Sequence, residues 1–314
     1  EICTRAFSDD PAIVARVGTQ MFRGLRDENV IATGKHFPGR GNSKVDLHYH
    51  ADVFPGDRKE MDEVHLAPYR TLIAEGIPAV MTAHTIYPCL DPDEWPASVS
   101  RRITTGLLRE EMGFEGVITT DAIGMKGVME RFSCYGEAAA TAIAAGADLV
   151  LAKCDASKRD EVYDWIMKFV EEGRIPADEL DMHVRRVLRL KYDYGLFEQA
   201  EVDPAGAERS VRDEKNVELS AEVARRCSIL LRDREGLLPL KGETPVLVVQ
   251  QRCDLYQNKA NDVWYHPNML QEFVRERASN VRDHETALEV TPDAAAEVMA
   301  LAGQVAVVIV RGAI

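Results

Sequence analysis

Gly113-Phe114-Glu115-Gly116-Val117-Ile118-Thr119-Thr120-Asp121 sets the pattern of the chain. A glycine-punctuated turn leads into four β-branched residues, and the run ends on a carboxylate. A short, nearly all-apolar strand has both faces covered, as strands of parallel sheets do. A helical stretch over residues 103–112 precedes it, and the same order recurs outward. A helix over 11–25 leads into Val30-Ile31-Ala32-Thr33, a helix over 59–75 into a strand over 77–81, and a helix over 136–145 into a strand over 147–151. Strands alternating with helices predict an α/β unit on a parallel sheet with crossover helices. The chemistry of such folds lies just beyond the carboxyl ends of the strands. Those positions hold Lys35 and His36, then His84, then Asp121, then Lys153 and Asp155. Ionisable groups at successive strand ends predict the active site of a (β/α)8 TIM-type barrel.

Helices over 160–172 and 180–191 close this first unit, and Tyr194-Gly195-Leu196-Phe197 ends it. The reading therefore places a catalytic barrel domain over 1–197 and a linker over 198–215, where Asp203-Pro204 and Gly206 break a stretch of mixed charge. An α/β sandwich domain over 216–314 follows. It starts with a helix over 217–227, then Ile229-Leu230-Leu231 and Leu237-Leu238-Pro239-Leu240, with strands over 245–249 and 305–310. Four strand–helix units precede the linker, whereas a closed barrel has eight. The expectation is that the N-terminal part of the barrel is missing and that the sandwich is incomplete.

The 314 residues are 46% hydrophobic with a net charge of −14. That charge argues against nucleic acid as the main partner, because phosphate binding needs clustered Lys and Arg. It argues equally against an anionic membrane surface, and no apolar run approaches the ~18 residues that cross a bilayer. The six cysteines are scattered with no C-x-x-C pair, so neither a zinc site nor a disulfide framework is expected. No cofactor is predicted.

The densest chemistry lies in Lys35-His36-Phe37-Pro38-Gly39-Arg40-Gly41-Asn42-Ser43-Lys44-Val45-Asp46-Leu47-His48. Two donors at a strand end open an irregular Pro/Gly loop, which carries Asp46 and His48 two residues apart. A carboxylate beside an imidazole fixes its tautomer and stabilises its protonated form, which makes a positioned acid/base. Asp121 at a strand end is a candidate nucleophile; a helix N-cap is the plain alternative. His48-Tyr49-His50 is also an H-x-H pair, which keeps a metal-dependent barrel hydrolase open.

The 35–48 stretch resembles the signature of bacterial family 3 β-N-acetylglucosaminidases, K-H-[FI]-P-G-[HL]-G-x4-D-[ST]-H. Arg40 stands where His or Leu is usual, and Leu47 where Ser or Thr is usual. The stretch from Gly113 to Met125 is similar to that family's G-F-[DE]-G-[VL]-[VI]-x-[ST]-D-x-L-x-M segment, with Ala122 where a second Asp is common. Thr4-Arg5-Ala6-Phe7-Ser8-Asp9-Asp10-Pro11, Met81-Thr82-Ala83-His84 and Pro96-Ala97-Ser98-Val99-Ser100 extend the likeness.

The resemblance implies a retaining glycosidase acting on amino-sugar glycosides. Asp121 would be the nucleophile and the His48–Asp46 pair the general acid/base; Arg5, Lys35, His36 and His84 would line the sugar pocket. His84 could equally be a structural histidine bonded to backbone. The family's further sugar-binding Asp, from an early strand, has no counterpart in these residues. A neutral imidazole repels an anion less than a carboxylate does, so hydrolase and phosphorylase both remain open. A non-catalytic relative is the remaining alternative.

Overall fold

The computed structural model describes residues 6–43, 47, 50–152, 156–198, 203–233, 236–251, 269–287 and 290–311. The chain divides into two compact units, Glu1–Glu201 and Val202–Ile314. Both are α/β and each carries a parallel three-stranded sheet.

In the first unit, helix α1 (Pro11–Asp27) starts where the Asp10 side chain accepts the Ala12 N–H at 2.8 Å and Pro11 opens the first turn. Both are favoured helix-start devices. Strand β1 (Thr33–Phe37) follows, three residues later than the apolar run suggested. The reason is the helix cap: Asn29 is left-handed at φ 55° and the Val30 N–H donates to the Leu25 carbonyl at 2.8 Å. Val30 is thereby consumed in the six-to-one closing turn of α1. Lys35 and His36 consequently lie within the strand's last turns of pleat rather than after it.

Strands β2 (Ala79–Thr82) and β3 (Val117–Thr120) complete the order β1-β2-β3. The predicted fourth strand over 147–151 is reduced to one bridge, Thr119 to Leu149. Its backbone still bonds to β3, with Leu149 N–H to the Ile118 carbonyl at 3.1 Å and Thr120 N–H to the Leu149 carbonyl at 3.0 Å. The ladder stops because the Leu151 N–H donates to the Thr120 hydroxyl at 3.1 Å instead of to a carbonyl.

The main core cluster packs helices against this sheet. Phe22 of α1 and Leu66 and Tyr69 of the helix Leu66–Ala74 pack with Phe37, Val80, Ile103, Leu108 and Ile118. Fully burying side chains of this kind contributes roughly 1.5–3 kcal/mol each. Gly34 lets that helix approach, since a Cβ there would stand 3.2 Å from Ile77 Cδ1 and 3.5 Å from Leu72 Cδ1. The stretches over 61–65 and 102–111 wind as π-helix. Helices Tyr135–Ala144 and Ala156–Glu171 pack through Ala140, Phe169 and Trp165, with Gly136 against the Trp165 ring.

The region read as a linker holds a helix, Pro204–Val211, nucleated by the Asp203 carboxylate on the Ala205 and Gly206 N–H groups. The second unit has sheet order β5-β4-β6, with β4 (Val246–Gln251) central, β5 spanning Val281–Thr286 and β6 spanning Val307–Arg311. Val246, Leu247 and Val248 are fully buried, as a central parallel strand requires. The edge strand β5, Val-Arg-Asp-His-Glu-Thr, has no apolar period and escapes the sequence reading. Ile229-Leu230-Leu231 forms no strand and is exposed. No helix among the described residues is long and apolar enough to cross a membrane.

Candidate functional site

The carboxyl ends of β1, β2 and β3 bring His36, His84 and Asp121 together. Backbone bonds lock the three ends: Ala83 N–H donates to the Phe37 carbonyl at 2.8 Å, and Asp121 N–H to the Thr82 carbonyl at 3.1 Å. At the end of β1, Lys35 pairs with Met81 and Phe37 with Thr82, leaving His36 as the extra residue of a bulge. Bulges re-aim side chains next to functional sites. His36 Nε2 stands 3.3 Å from Asp121 Oδ2, and the other Asp121 oxygen accepts the Ala122 N–H at 2.8 Å. The Asp121 side chain keeps 20% of its surface exposed. Burial on its own would raise the pKa of this carboxyl, but the His36 hydrogen bond and the Ala122 N–H outweigh it and hold it well below the usual carboxylate range. The group is an ionised, oriented carboxylate with part of its surface open. Lys35 is exposed on the same strand.

His84 does not face the opening. It is fully buried, with Nδ1 2.7 Å from the Ser98 hydroxyl and Nε2 3.0 Å from the Ala122 carbonyl. Of its two readings, the backbone-bonded histidine is the one observed. Nε2 donates to the carbonyl, so Nδ1 accepts from Ser98. Desolvation lowers its pKa to about 4, which keeps it neutral and in that tautomer. It buttresses the peptide whose N–H orients Asp121.

The loop after β1 is held from three sides. Arg40 is buried, donating from Nε to the Thr85 hydroxyl at 3.2 Å and from Nη2 to Ser43 Oγ at 3.1 Å, and Asp52 stands 4.0 Å from the guanidinium. Thr85 in turn donates to Asp52 at 3.3 Å. Tyr87, wholly buried, donates its hydroxyl to the Gly39 carbonyl at 2.9 Å. Leu47 is buried and its carbonyl accepts the Gly127 N–H at 3.3 Å, which accounts for an apolar residue between Asp46 and His48. Arg5, Asp46 and His48 lie outside the described residues, as do Lys153 and Asp155. His50 is exposed, and no three His, Cys, Asp or Glu side chains among the described residues form a metal-binding group.

Sequence reasoning missed Arg40, Asp52, Thr85 and Ser98 as parts of this site. Their roles depend on partners 14 to 45 positions away. The departure at position 40 was the single available signal.

With this geometry, the chain matches known proteins. The model of the glycosyl hydrolase family 3 N terminal domain matches residues 1–190. A glycoside hydrolase family 3 β-N-acetylglucosaminidase from Paenibacillus sp. str. FPU-7 is similar in structure, with TM-score 0.88 and 33% identity, covering 99% of this chain and 58% of that one. A β-N-acetylglucosaminidase/β-glucosidase of Cellulomonas fimi is 30% identical over 249 residues, 76% of this chain and 43% of that protein. A β-hexosaminidase A of Pseudoalteromonas piscicida is 28% identical over 80% of this chain and 45% of that protein. The chain thus spans less than half the length of these two curated relatives.

Proposed function

The chain belongs to glycosyl hydrolase family 3, and from that premise we propose that it is the catalytic part of a retaining β-N-acetylglucosaminidase. Its substrates are terminal N-acetyl-β-glucosaminides, such as peptidoglycan or chitin fragments. The observation that carries this reading is the Asp121 carboxylate, ionised and oriented by His36 and the Ala122 N–H at the end of a parallel strand. Asp121 attacks the anomeric carbon and forms a glycosyl-enzyme. His48, protonated and held by Asp46, protonates the leaving oxygen; as neutral imidazole it then activates water. Arg5, Lys35 and His36 bind the sugar hydroxyls. His84 acts through Ala122 as a positioning residue.

The parallel sheet of the first unit is read as part of a (β/α)8 barrel domain over 1–197. A sandwich domain starts near 216, joined through the helix Pro204–Val211.

Aryl N-acetyl-β-glucosaminide and aryl β-glucoside, assayed side by side, test the substrate. A kcat/KM preference for the N-acetylated sugar is expected, and a clear preference for the glucoside overturns the assignment. Adding inorganic phosphate to the same assay distinguishes water from phosphate as acceptor, through the appearance of sugar phosphate.

A further inference from the structure

A short turn, Ala97–Val99, grips the ring of His84 and has no part in the mechanism so far. It winds as 3-10 helix, and Ala97, Ser98 and Val99 are all buried. Its backbone is stitched to both neighbours of His84. The Ser98 N–H donates to the Ala83 carbonyl at 2.9 Å, and the Ala97 N–H to the Thr85 carbonyl at 3.0 Å. Thr104 closes the turn from behind, its hydroxyl donating to the Ala97 carbonyl at 2.8 Å. This frame delivers the Ser98 hydroxyl to His84 Nδ1 at 2.7 Å.

The other edge of the ring holds the turn that follows Asp121. The Ala122 carbonyl accepts from His84 Nε2 at 3.0 Å and from the Met125 N–H at 3.0 Å, which fills both of its lone pairs. A carbonyl only accepts, so Nε2 carries the ring proton and Nδ1 is a buried acceptor in need of a donor. Ser98 supplies it. Ala122 has only a methyl group with which to fix its own place, so its orientation depends on these backbone contacts. Without Ser98 the ring is anchored at one edge and can tilt about its Cβ–Cγ bond. A tilt there moves Ala122, whose N–H aims Asp121 at 2.8 Å. An alanine would fit the same turn without the hydroxyl, so packing by itself does not call for a serine.

We infer that Ser98 is a positioning residue for the reaction at Asp121, acting through His84 and Ala122. Its hydroxyl fixes the ring, the ring holds the Ala122 carbonyl, and the Ala122 N–H holds one carboxylate oxygen. The second oxygen, 3.3 Å from His36 Nε2, is thereby aimed for attack. This inference rests on the reading of Asp121 as the nucleophile.

The test uses the full-length protein, a 2-fluoro glycosyl trap and free N-acetylglucosamine as a competing ligand. Ser98→Ala is expected to fold and to be trapped roughly tenfold more slowly, a part of the 10²-fold that a misplacement of about 1 Å can cost. Inhibition by N-acetylglucosamine should not change, because the sugar contacts are intact. A folded Ser98→Ala trapped at the wild-type rate overturns the proposal, even if its melting temperature is lower, since a packing role touches stability alone. A loss carried wholly by weaker sugar binding overturns it too. In a His84→Leu background, adding Ser98→Ala should slow trapping no further; a second tenfold loss would mean that Ser98 does not act through His84. Should Ser98→Ala not fold, Ser98→Cys keeps a side chain of similar shape with a weaker donor, and an unchanged trapping rate overturns the proposal equally. The labelled residue in the wild type is the control. A label elsewhere than Asp121 brings down the nucleophile reading; a label on Asp121 with no effect of Ser98→Ala brings down the role of Ser98 alone.

Discussion

Strand β3 has a carboxylate beside each end, and the two are built oppositely. At its carboxyl end, Asp121 has one histidine at 3.3 Å, one backbone N–H at 2.8 Å and a fifth of its surface open. At its amino end, Asp148 is fully enclosed. It accepts from Arg109 at 2.7 Å, His183 at 2.7 Å, Arg186 at 3.0 Å and the Ile118 N–H at 2.8 Å. Arg109 also donates to the Phe114 and Gly116 carbonyls that lead into the strand. Desolvation at Asp148 is outweighed by His183, Arg109 and Ile118, so both carboxylates are held below their ordinary pKa. A depressed pKa therefore does not separate a reacting group from a structural one. What separates them is vacancy: Asp121 retains lone pairs facing outward, and Asp148 has spent all of its own.

The largest effect should come from Asp121→Asn. It keeps the shape, so the Ala122 N–H still has an acceptor, and it removes the proposed nucleophile. Turnover should fall by orders of magnitude, with a melting temperature within a few degrees of wild type. Steady-state rates and a thermal melt check both halves, and a 2-fluoro glycosyl trap should label Asp121 in the wild type. Labelling at Asp148 would collapse the contrast.

Asp148→Asn should behave in reverse. Neutralising one member of a buried ionic cluster leaves Arg109 and Arg186 uncompensated, at a cost of about 3–5 kcal/mol. Denaturant unfolding measures it. A variant as stable as wild type but inactive would show that the two ends had been assigned the wrong way round.

A smaller effect sharpens the picture at the Asp121 end. His84 titrates near 4 in the fold against an ordinary 6.5. A histidine whose folded pKa is lowered contributes its full stability above the unfolded value. That contribution is lost as pH falls from 6.5 towards 4, because the unfolded chain takes up the proton first. A shift of this size corresponds to about 3 kcal/mol. Unfolding free energies at pH 7 and pH 4.5, compared between wild type and His84→Asn, should show a smaller acid loss in the variant. Parallel curves would mean His84 is not held neutral.

The strand-end placement of His36, His84 and Asp121 was legible from position alone. An apolar run ending on Asp121 needed only strand logic, and the paired donors at Lys35 and His36 needed only their place beside the Pro/Gly loop. Boundaries were legible where apolarity and pairing coincide, as in β3, whereas β2 starts two residues later than its apolar run. They were not where backbone geometry decides, as at Val30, whose N–H the helix cap claims first. The polar edge strand β5 was invisible because one neighbour suffices to hold it. The burial of Arg40 and His65 was equally hidden, since a charged or polar side chain goes inside only when distant residues supply its surroundings.

The bond between Leu47 and Gly127 bears on how portable this chemistry is. The first belongs to the loop after β1, the second to the short helix Lys126–Met129 that follows β3, and a Cβ on Gly127 would come within 3.0 Å of Leu47 and 3.6 Å of His84. The two segments are thus coupled by packing. A designer who grafts residues 38–48 onto another scaffold must carry residues 121–128 along with them, or the transplanted loop arrives without its keel.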